Sequence, residues 1–196
     1  MLQSGRAGGS ILDAQRCDIT FELAALGHRL LCEHDLGAGW SYDQGIFYRA
    51  APVLCQTDRG VFGPNVTGGP FPRFLNNGTL HVDEWAHAYP STPAAQDGMT
   101  HLLATGTPCG WRHGDTVEPA TTPTGPFPQV AQLHTWTLSS PTTMPGEIVA
   151  FRAGSLVIEL GITSVSPHAD APSPAQVQQI AATAVHRSVT GEPPAS

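Results

Sequence analysis

Two apolar runs near the C-terminus, 147–153 and 155–163, meet at Ala153-Gly154 and lead into a helix-patterned segment, and this unit limits the fold more than any other part of the chain. Runs of this length, rich in Val, Ile, Leu and Phe and joined by a tight Gly-containing turn, are an antiparallel hairpin. The segment that follows opens with Ser173-Pro174-Ala175-Gln176, where Gln176 is placed to reach back to the cap residue. Val177, Ile180, Ala181, Ala184 and Val185 then form one apolar stripe at helical period over 174–188. A hairpin and an amphipathic helix must bury their apolar faces against each other or against further strands. The expected class is therefore α+β.

The earlier elements fit the same class. Ile19, Leu23, Leu26, Leu30 and Leu31 predict a helix over 18–34, stopped by Asp35-Leu36-Gly37-Ala38-Gly39. Short extended pieces follow at 46–48 and 53–55, and 60–78 reads as loop because it is dense in Gly, Pro and Asn. Over 81–89 the pattern alternates. Leu80, Val82, Glu84, Ala86 and Ala88 share one side; His81, Asp83, Trp85, His87 and Tyr89 share the other. Ser91-Thr92-Pro93 predicts a helix start with Thr92 as cap, and Ala95, Met99, Leu102 and Leu103 are its expected buried stripe. The stretch 114–129 reads as a second loop, in which Gly125-Pro126-Phe127-Pro128 echoes Gly69-Pro70-Phe71-Pro72, each with a Phe placed to tuck against the core. A further strand is expected at 130–138. The domain plan is a flexible segment at 1–16, one domain over 17–189 and a disordered tail at 190–196.

Composition excludes several functions. All nine basic residues among the 196 are arginine and the net charge is −7, a poor basis for holding nucleic acid. No apolar run reaches the ~18 residues needed to cross a bilayer. Without lysine there is no P-loop, and no G-x-G-x-x-G or G-x-S-x-G is present. Glu84 and His87 have the E-x-x-H spacing of a di-iron helix, but residues three apart on a strand point to opposite faces. No metal site and no cofactor is expected. Four cysteines, Cys17, Cys32, Cys55 and Cys109, lack C-x-x-C spacing; they suit two disulfides or reduced cytosolic thiols equally.

The polar-aromatic side of 81–89 is the most suggestive chemistry. Trp85, His87 and Tyr89 combine stacking surface with hydrogen-bonding groups, as ligand pockets do. His134 and Trp136 repeat the combination on the strand at 130–138. If the two strands are neighbours, the five residues form a ligand cleft, with His87 as a candidate acid or base near neutral pH. Arg152 and Glu159 lie on the hairpin strands and are expected as a solvated pair, with a buried pair as the alternative.

Several segments together resemble a known family. They are Leu30-Leu31-Cys32-Glu33-His34-Asp35-Leu36-Gly37-Ala38-Gly39-Trp40, with its D-L-x-x-G-W corner; Cys55 followed by Val61-Phe62-Gly63; the strand at 82–89 leading to Pro90-Ser91 and an Ala-rich helix; Cys109-Gly110; and the hairpin at 149–158 with its terminal helix. In this order, over about 23–188, they resemble the PknH-like extracellular sensor domain of actinobacteria. The chain departs from that family in lacking its second cysteine pair near the final hairpin and in carrying no kinase domain, membrane helix or lipobox. The resemblance implies a twisted antiparallel sheet with three helices packed on it, leaving a cleft. It also implies a Cys55–Cys109 disulfide, an extracytoplasmic location and an unidentified small-molecule ligand, with no catalytic residue to carry over. Cys17 with Cys32 is the remaining pair. The segment 1–13 lacks the basic start and apolar stretch of a signal peptide. A cytoplasmic cofactor-free enzyme, a cyclase or isomerase folding an apolar natural product, is the alternative.

Overall fold

The computed structural model describes residues 26, 28–42, 54–55, 67–105, 107–108, 116–119, 127, 130–139 and 144–192. They form one large antiparallel sheet with an α-helix on each face. The strands are β1 (Ser41–Tyr42), β2 (Leu54–Cys55), β3 (Gly68–Asn76), β4 (Leu80–Ala88), β5 (Thr107–Pro108), β6 (Thr116–Pro119), β7 (Ala131–Ser139), β8 (Gly146–Ala153) and β9 (Leu156–Ser164). The helices are α1 (Thr92–Thr105) and α2 (Pro174–Thr190). Seven strands join in the order β1-β3-β4-β9-β8-β7-β6, and β2 pairs with β5 separately.

The hairpin β8–β9 is the centre. Ala153 pairs with Leu156 across the turn, and Gly154 takes a left-handed φ of 61° that a side chain would resist. Every residue of β9 is buried, because β9 lies between β4 and β8 and both its faces are covered. Leu156, Ile158, Leu160 and Ile162 pack under α2 with Val149, Phe151, Val82 and Ala86. The alternate residues Val157, Ile148 and Ala150 pack under α1 with Ala95, Met99 and Leu102. The two helices therefore clamp one hairpin from opposite sides. The expected α2 stripe is fully borne out: Val177, Ile180, Ala181, Ala184 and Val185 are buried, and Ser173 and Gln176 exchange the two capping hydrogen bonds at 3.3 and 2.9 Å. At α1 the cap is Ser91 rather than Thr92, with the Ala94 N–H donating to Ser91 Oγ.

Three expectations need correction. The helix expected over 18–34 falls largely outside the described residues, and its described end holds one 3-10 turn, Glu33–Leu36. The reason is local. The N–H groups of Leu31 and Cys32 donate to the carboxylates of Glu84 and Asp35, so they are lost to an α-helical ladder. Apart from Leu26, which is helical, the described α-helices number two, not three. Second, the supposed loop at 60–78 contains β3. Its prolines are tolerated because, among the described residues, β1 pairs only with Leu75 and Asn76 and no strand lies beside Pro70 and Pro72, and the ladder to β4 shifts register between Gly68 and Phe71. Third, Arg152 does not face Glu159 as a solvated pair; it donates to Gln132 Oε1 at 3.1 Å, while Glu159 is buried. Phe127 packs against the core as expected.

The pieces at 46–48 and Cys109 lie outside the described residues, as do 1–16 and 193–196. Among the described residues no helix is long and apolar enough to cross a membrane. The α1 contact is tight enough to test. Gly98 lies on the ring of Tyr89, so a methyl group there would occupy the ring's own space. Gly98→Ala should destabilise the chain by about 1–3 kcal/mol in denaturant unfolding; an unchanged midpoint would mean that α1 is free to shift away.

Candidate functional site

Cross-strand partners in an antiparallel ladder point to the same side, so the pairings place each expected site residue. Trp85 pairs with Glu159, Glu159 with Ala150, and Ala150 with His134, which sets all four in one row on the α1 face. His87, Tyr89 and Trp136 lie on that face too. The expected neighbourhood of the two strands is not formed, however. β4 and β7 are separated by β9 and β8, three interstrand steps or about 14 Å. α1 rests on that intervening pair. The two histidine-aromatic groups are therefore separate. His134 and Trp136 stack on each other, with ring centroids 6.2 Å apart and planes at 30°. Tyr89 is a core residue beneath Gly98; burial and the nearby Glu159 charge push its hydroxyl up to about 12.

What remains on the β4 face is compact. Phe74 meets Trp85 edge-on, with centroids 5.6 Å apart at 77°. Trp85 is half-buried, and its indole N–H is enclosed without an acceptor. Asp83, His87 and Glu159 are buried around it at 2%, 5% and 1% exposure. Burial pushes His87 down to about 3, so the imidazole is neutral at physiological pH. The expected use of His87 as an acid or base near neutrality is corrected by this burial: a group titrating that low is a poor proton donor at pH 7.

The opposite face of β4 carries a second polar group. Glu84 is completely buried among the apolar residues of that side. Its Oε2 accepts the Leu31 N–H at 2.6 Å, and its Oε1 accepts no hydrogen bond. Arg73 is its cross-strand partner on β3. Arg187, on the buried stripe of α2, approaches Asp35 at 3.6 Å and donates to Cys32 Sγ at 3.2 Å. Cys32 is disulfide-bonded. The segment 28–42 is thereby strapped across the edge of the sheet by Glu84 from β4 and Arg187 from α2. Burial pushes Glu84 up to about 8, although the Leu31 N–H and the charges of Arg73 and Arg187 pull the other way and Asp35 adds to the rise. Burial likewise pushes Tyr42, beside Arg73, up to about 12.

Asp35, Arg73, Glu84 and Arg187 were not singled out as a group in the sequence. The signals existed: Glu84 is the lone charge on the apolar side of an alternating strand, and Arg187 continues the 180/184 spacing of the α2 stripe. Glu84 and His87 point to opposite faces, as their strand spacing requires. Among the described residues no group of three or more His, Cys, Asp or Glu is placed to hold a metal ion. The Cys55–Cys109 bridge involves a residue outside the described set; the ladder places Cys55 opposite Thr107.

Comparison with known proteins identifies no relative: no protein-family model, curated protein or solved structure matches the chain.

The two buried groups give stability opposite pH slopes. Glu84 has a folded pKa raised from 4.5 to about 8, so its contribution is full below the lower value and is lost as pH rises through that window. His87 has one lowered from 6.5 to about 3, so its contribution is present above 6.5 and is lost as pH falls towards 3. Glu84→Gln should raise the unfolding midpoint relative to wild type at pH 8–9, and His87→Gln at pH 4, each by about 5 °C or more. Melting curves across pH check this; curves that stay parallel to wild type would contradict it.

Proposed function

We propose that the chain is a non-catalytic, extracytoplasmic sensor-type domain, akin to the PknH-like domains it resembles, that binds a small apolar or amphipathic molecule on the β4 face at Trp85 and His87. The observation that carries this reading is Trp85. Its ring is partly open, Phe74 supplies a second aromatic surface, and its enclosed N–H has no acceptor. An enclosed donor left unmatched is costly, and a ligand carbonyl or hydroxyl reaching the ring edge in the plane of the indole at Nε1 would match it. A neutral His87 suits a hydrogen-bonding role better than proton transfer, which favours binding over catalysis. The disulfide at Cys32 accords with an oxidising compartment, where such bonds persist.

The test uses 8-anilinonaphthalene-1-sulfonate as an amphipathic aromatic probe on the folded chain. Saturable binding should weaken about tenfold in Trp85→Ala and less in Trp85→Phe, which keeps the ring and removes only the donor. Trp136→Ala, on the far side of β8, should leave it unchanged. Binding indifferent to Trp85, or lost equally in both alanine variants, would refute this placement.

A further inference from the structure

On the face of the sheet opposite Trp85, the strap and the start of α2 flank a half-open pocket of about 140 Å³. Leu36 and Trp40 come from the strap, Asn77 and Leu80 from the β3–β4 turn, and Gln176, Gln179 and Ile180 from α2. Among the described residues no charged side chain lines it. Its polar groups are primary amides, and two of the three have their carbonyl oxygens committed. Asn77 Oδ1 accepts from the Thr79 N–H and hydroxyl at 2.9 Å and from the Leu80 N–H at 2.8 Å. Gln176 Oε1 accepts from both the N–H and the hydroxyl of Ser173 at 2.9 Å. These bonds fix both side chains and leave their NH2 groups as the ends with donors to spare. Gln179, exposed on the next turn, offers a donor and an acceptor. The helix end itself is not an anion site, because its cap is satisfied by Ser173.

We infer that this cavity is a second binding site, for a neutral sugar unit. A rim of donors with no formal charge selects oxygen-rich neutral ligands over phosphates or carboxylates, and the chain's net charge of −7 opposes anions further. Trp40 adds an indole beside those amides, and an aromatic plate suits the C–H face of a pyranose while the amides take its hydroxyls. The site stands independently of the β4-face proposal, since it shares no residue with it and lies across the sheet.

The experiment titrates the full chain with glucose and with N-acetylglucosamine, each as the free sugar and as its tetramer. The readout is the side-chain NH2 signals of Asn77, Gln176 and Gln179 by NMR. Saturable shifts are expected for at least one sugar, with a Kd on the order of 1 mM for a monosaccharide. A tetramer that binds tighter assigns the site to the end of a glycan, and equal binding assigns it to a free sugar. Trp40→Ala should weaken binding about tenfold. Trp40 packs on the core, so Gln179→Ala, an exposed change that cannot unfold the chain, serves as the second variant and should weaken binding several-fold. Trp85→Ala should have no effect on it. No saturable shift with any of these sugars, tighter binding of glucose 6-phosphate than of glucose, or full binding in Gln179→Ala would overturn the assignment.

Discussion

A carboxyl group buried on the apolar side of β4 organises one end of this molecule. Glu84 is wholly enclosed, and the Leu31 N–H that it accepts at 2.6 Å is the contact that brings the strap onto the sheet. A buried acid is costly unless it is protonated or well partnered. Here it is held largely protonated, with Arg73 across the ladder and the Asp35–Arg187 pair beside it. Replacing such a group by a hydrocarbon of equal size is often neutral for stability. What the hydrocarbon could not do is accept the Leu31 N–H, and that bond decides where the strap lies. Leu36 and Trp40 reach the start of α2 because the strap is held there.

The central hairpin supplies the frame for both faces. β9 has no exposed side, so its even and odd residues each demand a helix, and α2 and α1 meet those demands from opposite sides. That division separates the two candidate sites. The β4 face with Trp85 lies on the α1 side, and the amide-rimmed cavity lies on the α2 side.

Much of the sheet was legible in the sequence. The 81–89 alternation, the 153–154 turn and the 173–176 capping box are local patterns, and each formed within a residue or two of expectation. What failed was set by distant partners. The prolines of β3 argue against a strand until it is known that no described strand lies beside them. The helix expected over 18–34 departs from expectation at its described end, where the Glu84 carboxylate, 53 residues away, captures the Leu31 N–H. Strand order was the costliest miss for function. Trp85 and Trp136 share a face, yet sequence alternation contains nothing about the two strands that lie between them. Asn77 and Gln179 left no pattern, and Gln176 was legible only as a helix cap, because this rim of amides is assembled from a turn and a helix far apart in the chain.

The position of the strap turns on the protonation of Glu84 beneath it. A carbon-13 NMR titration of its side-chain carboxyl reads that directly. The structure calls for a midpoint near 8, with the Leu31 amide shifting in step and protected from exchange. A midpoint at the ordinary carboxylate value near 4.5, with a Leu31 amide that exchanges freely, would mean that the strap does not seal this carboxyl. The cavity built on that strap would then lose its basis.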